Sequence, residues 1–520
     1  MELSRRSFVA SAAAATGALA ATSAVTAFAE EAAPAVEHAP VSEEDADIVV
    51  VGSGTAGICA ATRAAELGAK VILLEKRGIL GGSSGFAEGV GGINSYLHKQ
   101  QGIEIDLAEV FQRAQEYHHW AANSAVLKNF IAESGPTIDW LHENCGVDFC
   151  ITTVVSATSY PSWHLANDMD GNLNRISESL IAPLELKLEE LGADVRKDSP
   201  ATGLVVEDGA VKGVYWTDGS NEYQINAPAV VLATGGYSNN KEMLEEFTHQ
   251  SFDRMHNWGV EGRDGDGIRW AHEIGGEYHI VSTMMGACTA VPEPTVFEEP
   301  LNWMFSWQPN MRINQDGKRF FCEAYAADFC VSTNAIMAES QCFSIMDQGY
   351  VDMIANEALP FGMASVGYVA GVPMPGAAET VAAAVEAGRL LKADTVAVLA
   401  EKMGAPAETL VATIEKFNAD AAAGADAEYG MPPEMLRPYD QPPYYAAPIQ
   451  PGCFTSVGGL NVDVNFRVLR SDSSFIEGLY ALGGDESSDT GRDYDVGVFA
   501  GSQQGWCATG GRLVAEQLFA

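Results

Sequence analysis

Asp47-Ile48-Val49-Val50-Val51-Gly52-Ser53-Gly54-Thr55-Ala56-Gly57 decides how this chain is read. The run up to Val51 is unbroken and apolar, as a parallel strand covered on both faces requires. A glycine turn follows at once and opens a helical stretch, Ile58 to Leu67. In such a unit Gly52 permits the tight turn, Gly54 lets backbone approach a pyrophosphate, and Gly57 allows helix and strand to pack closely. Thr55 and Ala56 stand at the helix start, where free N–H groups face an anion. The next apolar run, Lys70 to Leu74, ends in Glu75 and Lys76. Glu75 lies about twenty residues downstream of the turn, where an acid accepts hydrogen bonds from a ribose. Strand, glycines, helix, strand and terminal acid occur in the order a dinucleotide site needs.

Further glycine stretches argue for FAD rather than NAD. Gly81-Gly82-Ser83-Ser84-Gly85 and Gly91-Gly92 supply a second small-residue loop, past which a flat ring system and a second phosphate can lie close to backbone. A third apolar run ends as Ala233-Thr234-Gly235-Gly236, and near the C-terminus Gly478 to Leu482 leads into Gly483-Gly484-Asp485. Val205 and Asp266 complete the candidate cofactor contacts. The fold expected is α/β, a Rossmann-like domain with a parallel sheet and flanking helices.

Of 520 residues, 30 are Lys or Arg and 70 are Asp or Glu, a net charge of −40, and 47% are hydrophobic. That share supports a large core and excludes a disordered or collagen-like chain. So acidic a chain repels phosphate backbones, which argues against nucleic-acid binding. The nine cysteines form no CxxC or CxxCH, and no HExxH occurs, so neither a metal site nor a covalent haem is expected. Electrons must then come from a separate membrane or haem-containing protein.

Ser4-Arg5-Arg6-Ser7-Phe8-Val9, a weakly apolar Ala/Thr/Ser run and Ala27-Phe28-Ala29 look like a twin-arginine export signal over 1–29. This reading implies passage through the twin-arginine translocase and an extracytoplasmic protein that is soluble after cleavage. Residues 30–46 are acidic and Pro/Ala-rich and read as a linker.

The motifs above, with Gly262-Arg263-Asp264-Gly265-Asp266-Gly267, Asn314 to Phe320 and Pro443-Tyr444-Tyr445-Ala446, resemble the fumarate reductase/succinate dehydrogenase flavoprotein superfamily. The likeness covers about residues 45 to 520. It implies an FAD domain in two parts, 45–281 and 457–520, interrupted by an α+β substrate-capping domain over 282–456. Residues 379 to 423 read as Ala-rich amphipathic helices. Membrane-bound members of the superfamily link flavin covalently through a His. Gly81 to Gly92 contains none, so FAD is expected to be non-covalent.

Saturating an activated C=C needs a hydride donor, a group that polarises the acceptor and an acid. Relatives place the acid, Arg or Tyr, four residues after the Glu of GKRFxxE; here Glu323 is followed at that spacing by Ala327. The remaining candidates are Tyr325, Tyr445, and Arg492 and Tyr494 in Asp489 to Asp495. The dicarboxylate clamp of His and Arg is absent from Met284-Met285-Gly286 and from Phe454 to Gly459, which argues against fumarate, succinate and urocanate. Trp303, Phe305, Trp307, Tyr444, Tyr445 and Phe454 suit a large flat apolar ligand instead. His118, His119 and His164 read as surface or helix residues. The expected activity is reduction of an electron-poor C=C in an apolar or aromatic enoate or enone, steroid-like or cinnamate-like. A ketosteroid-type dehydrogenase and a non-catalytic electron-transfer subunit remain as alternatives.

Overall fold

The computed structural model describes residues 38–154, 159–248, 251–279, 283–290, 297–363, 366–491 and 493–520, with side chains undescribed over 283–290 and at Phe329. The expected export signal and Arg492 therefore lie outside the described residues. Pro40–Ala520 forms one unit.

Its centre is a six-stranded sheet in the order Arg467–Leu469, Phe475–Ala481, Val230–Leu232, Ile48–Val51, Val71–Leu74 and Asp194–Arg196. All neighbours are parallel except the first pair. Every residue of Ile48–Val51 and Val71–Leu74 is buried. Strand side chains alternate between faces. Ile48 and Val50 accordingly join one core, with the helices Thr55–Glu66 and Ser502–Phe519. Val49 and Val51 join another, with Val211, Val214 and Ile225. Each such side chain contributes about 1.5–3 kcal/mol on burial. The two helices touch through small residues: a Cβ on Gly511 would lie 2.5 Å from the Ala56 carbonyl oxygen.

The stretch read as a linker is corrected at its end. Glu43–Asp45 forms a strand parallel to Glu222–Asn226, at the edge of a four-stranded sheet completed by Ala210–Thr217 and Ala201–Glu207. The pairing uses backbone groups and leaves Glu43 and Asp45 exposed, so no apolar period announces it.

A second six-strand assembly is built around the long strand Tyr444–Val457. Cys342–Asp347, Thr283–Ala290 and Leu391–Ala393 pair with it antiparallel, and His256–Asn257 pairs parallel. Met311–Asn314 extends the sheet beyond Cys342–Asp347. The Ala-rich segment forms Ala377–Glu386, Val396–Met403 and Ala407–Ala423, whose apolar faces fill a separate core with Tyr350, Tyr439 and Tyr445. Beside that core Arg319 pairs with Glu323 and Asp426, and all three side chains are at most 1% exposed. The GKRFxxE motif is thus a buried ion network.

Candidate active site

The ends of Ile48–Val51, Val71–Leu74 and Val230–Leu232 open into a cleft of about 970 Å³ of empty space, its mouth included. Gly52, Gly54, Thr55, Ala56, Glu75 and Lys76 line it, as do Gly82, Ser83, Ala233, Thr234, Gly235, Asp266 and Gly484. Sequence reasoning placed all of these at the cofactor. Gly52 has φ +99°, and a Cβ there would sit 2.2 Å from the Ala233 carbonyl oxygen. A Cβ on Gly57 would sit 1.9 Å from the Gly52 carbonyl oxygen, which is why the helix can start so close to the turn.

Other residues expected at the cofactor support the cleft from behind. The Gly81 N–H donates to the Ser53 carbonyl oxygen and to Ser53 Oγ. Buried Asp485 accepts from the N–H groups of Thr234 and Gly236 and from the Thr234 hydroxyl, while burial pushes its carboxyl up against those bonds. Glu75 accepts from Ser53 N–H and Oγ through Oε2 and from Arg77 N–H through Oε1. Burial works against the Lys76 charge, but Asp266 and Asp264, at 3.1 and 3.0 Å, hold its pKa above the usual value.

Three expected contacts fall elsewhere. Val205 lies in the strand Ala201–Glu207, and Ala201 reaches the cleft instead. Gly91 is pressed against Gly501 and Gly505, and Gly92 against Ile138, so they set packing behind the cleft.

The cleft has the chemistry of a dinucleotide site. Gly54 at the N-cap of Thr55–Glu66 offers no side chain to the first-turn N–H groups, which suits a phosphate. Thr55 Oγ1, Ser83 Oγ and Gln504 Oε1 are buried and lack hydrogen-bond partners among the described residues, and all three residues line the cleft. Buried polar atoms are normally paired, so these await a polar ligand.

A second cavity, of about 1470 Å³ with its mouth, meets the cleft at Ser83, Thr455, Gln503 and Gln504. Its walls are aromatic: Trp163, Trp258, Phe297 and Phe454, with Phe86 and Met363. Phe297 packs edge-on against Trp258 and Phe454, with ring centroids 5.6 and 5.2 Å away. Polar and charged residues line it too, Glu88, Arg175, His256, Glu298 and Tyr494 among them. Arg175 is ion-paired with Glu298. Glu88 is partly exposed as a residue, yet burial of its carboxyl pushes the pKa up to about 7 while Arg175 pulls it down. Burial lowers the pKa of His256 and raises that of Tyr494.

Of the expected catalytic residues, Tyr494 lines this cavity. Tyr325 does not: the 3-10 turn Glu323–Tyr325 points Glu323 at Arg319 and leaves Tyr325 56% exposed. Tyr445 is in the second core, its hydroxyl donating to Gln348 Oε1 at 2.8 Å. Among the rings expected at the substrate, Phe454 lines the cavity. Trp303 and Trp307 stack at 4.4 Å behind Phe297, and Phe305 and Tyr444 lie in the second core. His118 and His164 are buried rather than superficial, and His164 bonds Ser95 Oγ and the Ser162 carbonyl oxygen. Sequence reasoning missed Arg175, Trp163 and Trp258, which sit in no motif, and Glu88, which lies within the Gly81 to Gly92 stretch. Arg263, which lines the cleft, could have been found, being inside the Gly262 to Gly267 stretch already singled out.

The fold and the cleft define a Rossmann-like flavoprotein. Residues 47–496 match the FAD binding domain family, and the chain belongs to it. FAD is its cofactor, and it is an oxidoreductase acting on C=C bonds, of the reductase type in this family. The chain is 33% identical to vinyl phenol reductase of Lactiplantibacillus plantarum, over 86% of this chain and 91% of that one. It is 25% identical to NADH:fumarate oxidoreductase of Klebsiella pneumoniae, over 84% of this chain but 44% of that protein. A 3-ketosteroid Δ1-dehydrogenase structure from Sterolibacterium denitrificans has the same fold, with TM-score 0.77 and 21% identity over 91% of this chain and 99% of that one.

Proposed function

We propose that the protein reduces a conjugated C=C carried by a flat aromatic acceptor, which lies in the aromatic cavity while non-covalent FAD fills the adjoining cleft. Reduced FAD supplies a hydride when bound. The observation that carries the reading is the contact between the two cavities at Ser83, Thr455, Gln503 and Gln504. Trp163, Trp258 and Phe454 would hold the ring by stacking and edge contacts. Tyr494, which lines the cavity and has its pKa raised by burial, keeps its proton at neutral pH and would donate it to the acceptor. The similarity to vinyl phenol reductase supports an aromatic acceptor.

The capping role of residues 282–456 and export by way of 1–29 belong to the same proposal, as does a separate electron donor protein. Cell fractionation of wild type and Arg5→Lys/Arg6→Lys checks export, which predicts loss from the extracytoplasmic fraction.

The activity is tested anaerobically by reducing the holoenzyme and mixing it with 4-vinylphenol, a cinnamate, a 3-oxo-4-ene steroid and fumarate. Fast reoxidation by an aromatic alkene but not by fumarate is expected. Reoxidation by fumarate alone would overturn the reading.

A further inference from the structure

Aromatic walls account for binding a flat ring but not for the charges set among them. Arg175 is paired with Glu298, and Glu88 lies within reach of the Arg175 charge at the same cavity. Among the described residues, the other titratable groups lining that space are His256 and Tyr494. Two carboxylates against one guanidinium leave this cluster negative when Glu88 is ionised. A negative cluster repels an anionic acceptor such as fumarate or a cinnamate, and accepts a hydrogen bond from a neutral phenol.

A phenol also poses a chemical problem that these residues answer. A styrene bearing a para hydroxyl is electron-rich, and its C=C accepts hydride poorly. Removing the O–H proton while a proton is added to the terminal alkene carbon converts it into a quinone methide, whose benzylic carbon is electrophilic. We propose that Glu88, on the same cavity wall as the Arg175–Glu298 pair, is the base that takes the phenolic proton of a para-hydroxyaryl alkene, so that the acceptor reacts as its quinone methide.

The proposal rests on the aromatic-acceptor reading and narrows it. The atoms balance as follows. The O–H bond breaks and its proton passes to Glu88; the terminal carbon gains a proton from an acid, for which Tyr494 is placed. FAD held in the adjoining cleft would, when reduced, supply the hydride and two electrons that the benzylic carbon takes up. The phenolate oxygen recovers its proton from Glu88. The net change is C=C to CH–CH with one proton and one hydride consumed.

Burial of its carboxyl makes Glu88 a stronger base than an ordinary glutamate. It is still weaker than a free phenolate, whose acid has a pKa of about 10. Concerted proton addition at carbon is therefore part of the step.

The test compares 4-vinylphenol with 4-methoxystyrene, which has the same alkene but no phenolic proton, as oxidants of the reduced holoenzyme. Wild type should be reoxidised about 100-fold or more faster by 4-vinylphenol. Glu88→Gln should lose about 100-fold with 4-vinylphenol while 4-ethylphenol still perturbs the absorbance of its bound flavin. Its rate should recover with a ring-fluorinated, more acidic vinylphenol, a rescue that a merely structural role would not give. Comparable rates with 4-methoxystyrene and 4-vinylphenol would overturn the base while leaving the aromatic-acceptor reading intact. Failure of every aryl alkene would overturn both. If Glu88→Gln does not retain flavin, the wild-type comparison of the two styrenes decides alone.

Discussion

Asp485 grips Thr234 twice, its Oδ2 accepting the backbone N–H at 2.5 Å and its Oδ1 accepting the hydroxyl at 2.8 Å. The same Oδ1 accepts the Gly236 N–H at 3.1 Å. Two glycine-rich turns that are 249 to 251 residues apart in sequence are thereby fastened together beneath the FAD cleft. The sheet places them side by side, because Val230–Leu232 and Phe475–Ala481 are parallel neighbours.

Asp485→Ala should weaken FAD binding strongly. Three donors would lose their acceptor in a buried place, and each unsatisfied group costs about 1–3 kcal/mol. The turn that lines the cleft would reorganise around water. The expected result is largely apo protein after gel filtration and a lower thermal midpoint, with Asp485→Asn intermediate because one amide oxygen remains to accept. Full flavin content in the alanine variant would show that the turn holds its shape unaided.

Glu75 acts on the first turn as Asp485 acts on the second. Its carboxylate takes the Ser53 N–H at 3.1 Å and the Arg77 N–H at 2.9 Å, and also faces the cleft. Glu75→Ala should raise the FAD dissociation constant by about tenfold or more, the equivalent of one lost charge-assisted bond. Titration of apo protein by flavin fluorescence reads this directly. An unchanged constant would remove Glu75 from the ribose site.

The cleft was legible in the sequence because a phosphate-binding turn needs glycines at fixed spacing between a strand and a helix. Gly52 and Gly57 cannot be exchanged without collisions such as the 1.9 Å approach at Gly57. The aromatic cavity carries no such local signature. Trp163 comes from one sheet, Trp258 follows the short strand His256–Asn257, and Phe297 and Phe454 lie far along the chain. Their meeting is a property of packing between elements. Tyr325 misled for the same reason. Its spacing from Glu323 suggested the active site, but the buried Arg319 network turns that residue pair so that Tyr325 faces solvent. The strand Glu43–Asp45 escaped notice because edge pairing uses backbone groups and asks nothing of side-chain pattern.

The Arg319 network should govern stability and leave flavin content alone, since none of its members lines the cleft. Glu323→Ala leaves the Arg319 guanidinium buried with one partner fewer and the Arg312 N–H without its acceptor. Breaking a buried pair from one side costs about 3–5 kcal/mol. Lys416→Ala removes a pair in which the lysine is 48% exposed, and should cost about 1 kcal/mol or less. Urea denaturation of the two holoproteins should separate them clearly. Equal midpoints would mean that the network contributes little.

The pH dependence of turnover offers a direct view of Glu88. Its carboxyl pKa is pushed up to about 7 by burial and opposed by Arg175, with Glu298, His256 and Tyr494 the other ionisable groups on the cavity wall among the described residues. A base acts only when deprotonated, so kcat/KM with 4-vinylphenol should rise with pH and level off above about 7, falling about tenfold per unit below it. Loss of positive charge on His256 cannot produce this limb, because burial lowers its pKa further below that value. Glu88→Gln should abolish the inflection and leave a low, flat profile. A profile that keeps its inflection near 7 in that variant would assign the titration to another group, and with it the task of taking the phenolic proton.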